Sequence, residues 1–370
     1  MQQADPSRSQ VLRQVRPGSA TAQGESDGRA TIADIARLTG VSVATVSKVL
    51  NDRTDVAAST RALVQAALVE HRYVKPPRAK VNRRKRQRSD LIEILLNDAG
   101  SPWGAELIRG VEAEARPAQV GVVVATHEPG VDDTSAWLRQ VEKRGSLGAI
   151  LALSDLPSAD HRRLVGAGLP MVLVEQVGDF ESDLPAFGAG NWRGGLIATA
   201  HLIELGHRRI GTVTGPMRYL CSQARLAGYR AALERSGLPS DPALVAHGDF
   251  HYDAGKSAAL ALLERDEPPT AIFAGNDEQA LGVYAAAQQR SLRVPEDLSI
   301  IGFDDVPMSQ WVLPALTTVH QPIRELGQLA TRAVLAAAAG EAPLPQGRTE
   351  LPTTLVVRGS TAPPGRLSRG

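Results

Sequence analysis

Cysteine is nearly absent from this sequence. Cys221 is the only one in 370 residues, which excludes an intrachain disulfide and suits a reducing, cytoplasmic setting. Long apolar runs are absent as well: none reaches 18 residues, so no helical membrane span is expected. Near the N-terminus Val11 and Leu12 stand alone among arginine and glutamine, which gives no core for a secretory signal. Most signatures of catalysis are missing too. There is no Walker loop, nucleophile elbow or zincin motif. Gly188 and Gly190 lack the strand–GxGxxG–helix context of a dinucleotide site. His247 and His251 lie four residues apart, but no cysteine or carboxylate cluster completes a metal site around them. The expectation is no cofactor, no metal and no enzymatic activity.

What the chain does have is an uneven distribution of charge. Its net charge of +1 hides 17 basic against 7 acidic residues in 1–88, and 24 against 33 in 89–370. A basic head on an acidic body directs the head toward a polyanion. A membrane surface would satisfy the same charge, but no basic amphipathic helix with a broad apolar face accompanies it. The densest part is 78–88, where seven of eleven residues are basic and none is acidic. Pro76 and Pro77 end any preceding helix, so this run reads as a linker. Against a nucleic acid its side chains would neutralise phosphates and release counterions.

Ahead of that run, residues 31–51 read as two short helices around a tight turn. Ile32, Ile35 and Ala36 form one apolar face, with Thr31 before it and Asp34 placed as a shortened capping pattern. Gly40 is suited to end the helix in a left-handed conformation. Ser42 is placed to cap a second helix that runs to Asn51, with Val46 and Leu50 inward and Val43, Ala44, Ser47 and Lys48 outward. Small and basic residues facing out of a second helix, straight after a glycine-containing turn, describe a helix-turn-helix. A third helix is expected from Ser59, with Leu63, Ala66, Ala67 and Val69 as apolar positions, ending near Tyr73.

From Asp90 the pattern becomes alternating strands and helices. Strands are expected at 91–96, 120–125, 149–153, 171–174, 210–213, 271–274 and 298–303. Helices are expected between them at 104–115, 134–143, 159–167, 193–205, 224–236, 253–265 and 277–290. That alternation predicts parallel sheets covered on both faces. A loop at 188–195 marks the boundary between two such units. Paired lobes of this class bind ligands beyond the carboxyl ends of their strands.

Several of these stretches resemble the lactose-repressor (LacI/GalR) family of bacterial transcription regulators. They include Ala33-Asp-Ile-Ala36, Thr45-Val-Ser-Lys-Val-Leu-Asn51 and Ser101-Pro102-Trp103. Further along come Leu205-Gly-His-Arg-Arg-Ile-Gly211, Arg225-Leu-Ala-Gly-Tyr229, Gly275-Asn-Asp-Glu-Gln279 and Val294-Pro-Glu-Asp-Leu-Ser-Ile-Ile-Gly-Phe-Asp-Asp305. The resemblance covers residues 29 to about 360, in the family's order. It implies an α/β protein with an all-α helix-turn-helix headpiece and a two-lobed, doubly wound parallel domain of the periplasmic-binding-protein type. The domains expected are a disordered tail at 1–28, a headpiece at 29–75, a basic hinge at 76–89, an effector and dimerisation domain at 90–360, and a flexible tail at 361–370. That last tail has no leucine heptad, so it gives no tetramerising coiled coil.

The resemblance also assigns roles. Expected DNA contacts are Thr31, Ser42, Val43, Ala44, Thr45, Ser47, Lys48 and Asn51, with Arg78, Lys80, Arg83 and Arg84 in the hinge. The family's hinge leucine, which wedges into the minor groove, is replaced here by Asn82, with Val81 one residue off. Expected effector contacts are Trp103, Glu175, Cys221, Arg225, Phe250, Asn276, Asp304 and Gln321. Arg225 and Asn276 would bond ligand hydroxyls, Asp304 would accept from them, and Trp103 and Phe250 would cover the apolar face of a sugar ring. Cys221 reads equally well as a buried thiol, and Asp277 and Asp305 as caps of the following helix or turn. The function expected is a dimeric, ligand-responsive repressor of carbohydrate-utilisation genes on a near-palindromic operator. A purine-responsive regulator of the same fold, a sugar-binding transport protein and a nicotinamide enzyme are the alternatives.

Overall fold

The computed structural model describes residues 32–50, 56–71, 89–127, 134–153, 166, 168–176 and 184–365. The chain divides into two compact units, 1–84 and 85–370. Thr31, Asn51, the hinge residues 78–84, the N-terminal tail and nearly all of the helix expected at 159–167 lie outside the described residues.

The first unit holds three helices, Ile32–Thr39 (α1), Val43–Leu50 (α2) and Ala58–Glu70 (α3). Ile35, Ala36, Val46, Val49, Val64 and Ala67 form its core. α1 and α2 follow the sequence pattern closely. Gly40 takes φ +67°, the left-handed turn that a Cβ would oppose. Val49 is more buried than Leu50 on the inner face of α2. α3 corrects the expectation. Ala57 precedes it with no side-chain cap, so Ser59 lies inside the helix. Its core residues are Val64 and Ala67, whereas Leu63 and Val69 are exposed. Four apolar residues within seven positions cannot all share one 100° face, and the register chosen is the one that meets α1 and α2.

The second unit is built on two six-stranded sheets. In lobe 1 the strands are Leu91–Leu96 (β1), Gly121–Thr126 (β2), Gly148–Ala152 (β3), Met171–Val174 (β4), Ala186–Ala189 (β5) and Arg348–Leu351 (β11). Their order is β11-β5-β4-β3-β1-β2, and every pairing is parallel. Ile92, Ile94 and Leu96 point to one face, under Pro102–Ala115 (α4) and Ile323–Ala339 (α10). Leu95 points to the other, under Thr134–Arg144 (α5). Glu93 shares that second face and is fully buried, held by Arg144 Nε and Nη2 at 2.8 and 2.9 Å and by Ser146 Oγ. A buried carboxylate needs such partners, because desolvation without them costs several kcal/mol (order of magnitude).

Lobe 2 repeats the plan. Its strands are Ile210–Thr214 (β6), Val245–His247 (β7), Ala271–Ala274 (β8), Ser299–Asp304 (β9), Thr317–His320 (β10) and Thr354–Val356 (β12). Their order is β12-β10-β9-β8-β6-β7, with β12 antiparallel at one edge. Asn191–Glu204 (α6) and Leu220–Arg235 (α7) cover one face through Leu202, Tyr229 and Phe303. Tyr252–Leu263 (α8) and Asp277–Gln289 (α9) cover the other through Leu262, Val283 and Ile300.

Two expectations change here. The stretch 188–195 is no loop: β5 ends at Ala189 and α6 begins at Asn191, so one residue carries the chain between lobes. The flexible tail also begins later than 361. Thr361 lies 3.1 Å from His201 Nε2, and the Ala362 carbonyl lies 2.9 Å from His207 Nε2, so this segment is fastened to lobe 2. Among the described residues no helix is long and apolar enough to cross a membrane.

Candidate functional site

In the first unit, Ser42 sets the start of α2. Its Oγ accepts from Thr45 N at 3.1 Å and lies 2.8 Å from Thr45 Oγ1. This cap supplies an acceptor for a backbone donor that has no partner within the helix. Val43, Ala44 and Lys48 are exposed, and Thr45 and Ser47 are half-exposed. With Val46 and Val49 buried, α2 presents small residues and one lysine on its outer surface. Such a surface fits against base edges in a major groove, which admits a single helix.

In the second unit, a cavity of about 620 Å³, counted to its open mouth, lies between the lobes. Lobe 1 contributes Asn97, Asp98, Trp103, Leu153 and Glu175; lobe 2 contributes Cys221, Arg225, Phe250, Asn276 and Asp304. Seven of the eight expected effector residues border it. Gln321 does not: it lies along a neighbouring groove, with Asp304 as the shared wall. Its Nε2 donates to Asp304 Oδ1 at 2.6 Å, so it holds the carboxylate from behind.

The floor of the cavity is a continuous polar chain. Glu175 Oε1 accepts from Ala189 N at 2.7 Å and from Asn191 Nδ2 at 3.1 Å. Asn191 Oδ1 accepts from Arg225 Nε at 2.9 Å. Arg225 Nη1 donates to the Gly275 carbonyl at 2.6 Å and lies 3.6 Å from Asp304 Oδ1. The guanidinium stacks 3.6 Å from the Phe303 ring centre and 5.6 Å from that of Phe250. Asn191, buried at the crossover, thus joins Glu175 of lobe 1 to Arg225 of lobe 2. It was not among the expected effector residues, because the sequence placed it in a loop at 188–195 and began the helix only at 193. Asn97 Nδ2 donates to Tyr219 Oη at 3.1 Å and closes a second bridge between lobes.

Asn276 caps α9, accepting from Gln279 N at 2.9 Å while its Nδ2 donates to the Phe250 carbonyl at 2.9 Å. Each end of that amide retains capacity for one further bond. Asp277 is not the cap. It is fully buried and accepts from Val306 N at 2.9 Å and from Thr318 Oγ1 at 2.5 Å. Asp305 holds Arg358 at 2.5 Å and His320 at 3.2 Å. Burial pushes the Asp304 carboxyl up to about 7, against the opposing pull of Arg225 and Gln321. Burial and the neighbouring Asp304 push Asp277 up as well. Burial likewise pushes the Cys221 thiol up to about 12, so it stays protonated and unreactive. His247 lies 3.0 Å from Thr214 Oγ1 and His251 lies 3.4 Å from Glu278, and the described residues include no group able to hold a metal.

Backbone strain gathers at this cavity. Leu153, Glu175, Phe250 and Asp304 all line it, and all have positive φ, at 48°, 52°, 77° and 113°. Each sits at or just past the carboxyl end of a strand. Such conformations cost of order 1–3 kcal/mol each in non-glycine residues and persist where the surroundings over-determine them. Here they aim side chains from both sheets at one space.

Known proteins match along most of this length. The model of bacterial regulatory proteins of the lacI family matches residues 31–75. The periplasmic binding protein-like domain matches residues 199–361. The ribose operon repressor of Escherichia coli (strain K12) is 35% identical over 333 residues, covering 90% of this chain and 99% of its own. Among solved structures, the transcriptional regulator CelR in complex with cellobiose superposes with a TM-score of 0.68 at 32% identity, covering 90% of this chain and 100% of that one. The lac repressor dimer bound to operator and the anti-inducer ONPF gives 0.66 at 28% identity, covering 90% and 99%.

Proposed function

The chain belongs to the lacI family of bacterial regulatory proteins, as a DNA-binding transcription repressor and not an enzyme, and from this premise we propose that a small sugar in the interlobe cavity switches its grip on operator DNA. The observation that carries the reading is the polar floor running from Glu175 through Asn191 and Arg225 to Asp304. Carboxylates, an amide and a guanidinium beside Trp103 and Phe250 are what a polyol with one apolar face requires. Solved relatives hold cellobiose in one case and, in another, operator DNA as a dimer. By the same reading this chain acts in the cytoplasm as a dimer on a near-palindromic operator of carbohydrate-utilisation genes.

In that reading Val43, Ala44 and Lys48 touch base edges, while Thr45, Ser47 and the basic hinge hold phosphates. A sugar that bonds both Glu175 of lobe 1 and Asp304 of lobe 2 changes how the lobes meet, and so favours one DNA affinity over another. Coupling of this kind is typically about 1–3 kcal/mol. The test is a thermal-shift screen of the full chain against pentoses, hexoses and disaccharides, followed by operator titration with each stabilising sugar. The expected result is at least one sugar that raises the melting temperature and changes operator affinity about 5-fold or more. A screen in which purines stabilise the protein and sugars do not would replace this reading.

A further inference from the structure

Helix N-termini are where a fold of this kind would hold an anion, because free backbone N–H groups and the helix dipole both favour negative charge. Four helices begin at the cavity, and at three of them the chain's own side chains already occupy the N-terminus. At α4, Ser101 Oγ accepts from Gly104 N at 3.0 Å. At α9, Asn276 Oδ1 accepts from Gln279 N at 2.9 Å, and Asp277 and Glu278 fill the first turn. At α8, Glu278 Oε1 accepts from Tyr252 N. The fourth, α7, has no side-chain cap. Arg225, the one guanidinium among the described lining residues, directs its Nε and Nη1 to Asn191, Gly275 and Asp304.

The mouth is acidic on both sides. Asp98 comes from lobe 1, Asp249 and Glu278 from lobe 2. Asp98 Oδ1 accepts from Gly100 N at 2.8 Å, and Asp249 Oδ1 from His251 N at 2.9 Å. Glu278 Oε1 accepts from Tyr252 N at 3.2 Å and lies 3.4 Å from His251 Nδ1. These bonds come from backbone N–H groups and an imidazole, not from a guanidinium or ammonium that would cancel the charge, so the carboxylates face an incoming ligand with it. A phosphate carries about −1.5 to −2 at neutral pH and would meet these three like charges before it reached the one guanidinium of the lining.

We infer that the cavity selects its effector by charge: it admits a polyol that is neutral or carries an amino group, and refuses phosphorylated or carboxylated sugars. Asp98, Asp249 and Glu278 are the selecting residues. The inference rests on the reading of the cavity as the effector site.

The test is calorimetric titration of the full chain with matched ligands: D-ribose against D-ribose 5-phosphate, and D-glucose against D-glucosamine and D-glucose 6-phosphate. Every parent sugar that binds should lose about a hundredfold or more in affinity on phosphorylation. The amino derivative should bind at least as well as its parent, with an advantage that shrinks as salt rises. In the double variant D98N/E278Q, which keeps the acceptor oxygens, the penalty on the phosphorylated sugar should fall about tenfold or more. A phosphorylated sugar that binds as tightly as its parent overturns the inference while leaving the sugar reading intact. An unchanged penalty in the double variant overturns the assignment to these residues. If no sugar of any charge binds, the effector reading itself fails and this inference with it. The comparison on the unaltered chain needs no variant to fold.

Discussion

Gly195 tests whether close helix packing is what positions the arginine of the cavity, Arg225. It lies on α6 and faces Arg225 on α7. A Cβ placed there would lie 2.2 Å from the Arg225 carbonyl oxygen and 2.9 Å from its carbonyl carbon. Ordinary van der Waals separation begins near 3.4 Å, so in Gly195→Ala the two helices must part by about 1 Å. Gly228 makes the reciprocal approach, 2.1 Å from the Trp192 carbonyl for a Cβ, so the pair cannot relax by sliding. A shift of that size stretches the 2.9 Å bond from Arg225 Nε to Asn191 Oδ1 beyond hydrogen-bonding range. Overpacking of this kind costs typically ~1–3 kcal/mol. Against it stands the gain of alanine over glycine in a helix, about 1 kcal/mol. The net expectation is a loss of about 0–2 kcal/mol in stability and a loss of effector affinity of roughly 10- to 100-fold, because a bond to a charged group contributes ~1.5–3 kcal/mol. Denaturant unfolding of the full chain reads the first, and titration with a sugar that stabilises the unaltered protein reads the second. A Gly195→Ala protein that is more stable and binds its effector unchanged would refute the argument, since propensity alone would then have decided the outcome.

Three further outcomes are expected. Lys48→Ala should weaken operator binding by about 1–3 kcal/mol and relax preference at the bases it reads, checked by titration against operator variants. Replacing Arg83, Arg84, Lys85 and Arg86 by alanine should flatten the salt dependence of binding by a slope of about 0.9 for each phosphate no longer neutralised, equally on operator and random DNA; selective loss in Val81→Ala instead would mark a minor-groove wedge. The third concerns pH. Because Asp304 is pushed up to about 7 in the folded state, the native protein holds this proton more tightly than the unfolded chain. Its contribution to stability is therefore present in acid and lost as pH rises through 7. Affinity for a hydroxyl that donates to the carboxylate should rise over the same range, and Asp304→Asn should flatten both curves in melts and titrations between about pH 5 and 8.

Much of the architecture was legible because its signals are local. Strands at 91–96, 171–174 and 271–274 fall where the apolar runs place them. β5, β7, β10, β11 and β12 were not read, since each has only three or four residues and takes its strand state from its neighbour in the sheet. α10 was missed for a different reason. Its buried residues Ile323, Leu326, Gly327, Ala330, Thr331 and Val334 keep a plain helical period, but small residues in the stripe dilute its hydrophobic contrast. For the cavity, motif residues such as Arg225 and Asn276 were readable in the sequence. The acids at its mouth were not, because Asp98, Asp249 and Glu278 are scattered over 180 positions and meet only once the lobes are formed.

The crossovers bear on how the protein is made. The chain passes between lobes at 189–191, 320–323 and 351–354, so lobe 1 is completed by α10 and β11, which lie late in the sequence. Ile323, Leu326, Ala330 and Val334 belong to the core of a lobe whose first strand begins at Leu91. At about 5–20 residues per second, a ribosome takes tens of seconds to get from one to the other. The helices of the first unit, by contrast, carry their whole core between Ile35 and Ala67. A nascent chain therefore acquires the means to fold its N-terminal helices well before it can assemble the cavity between its lobes. For that interval each growing copy carries its helical unit complete while lobe 1 still lacks its last helix and strand.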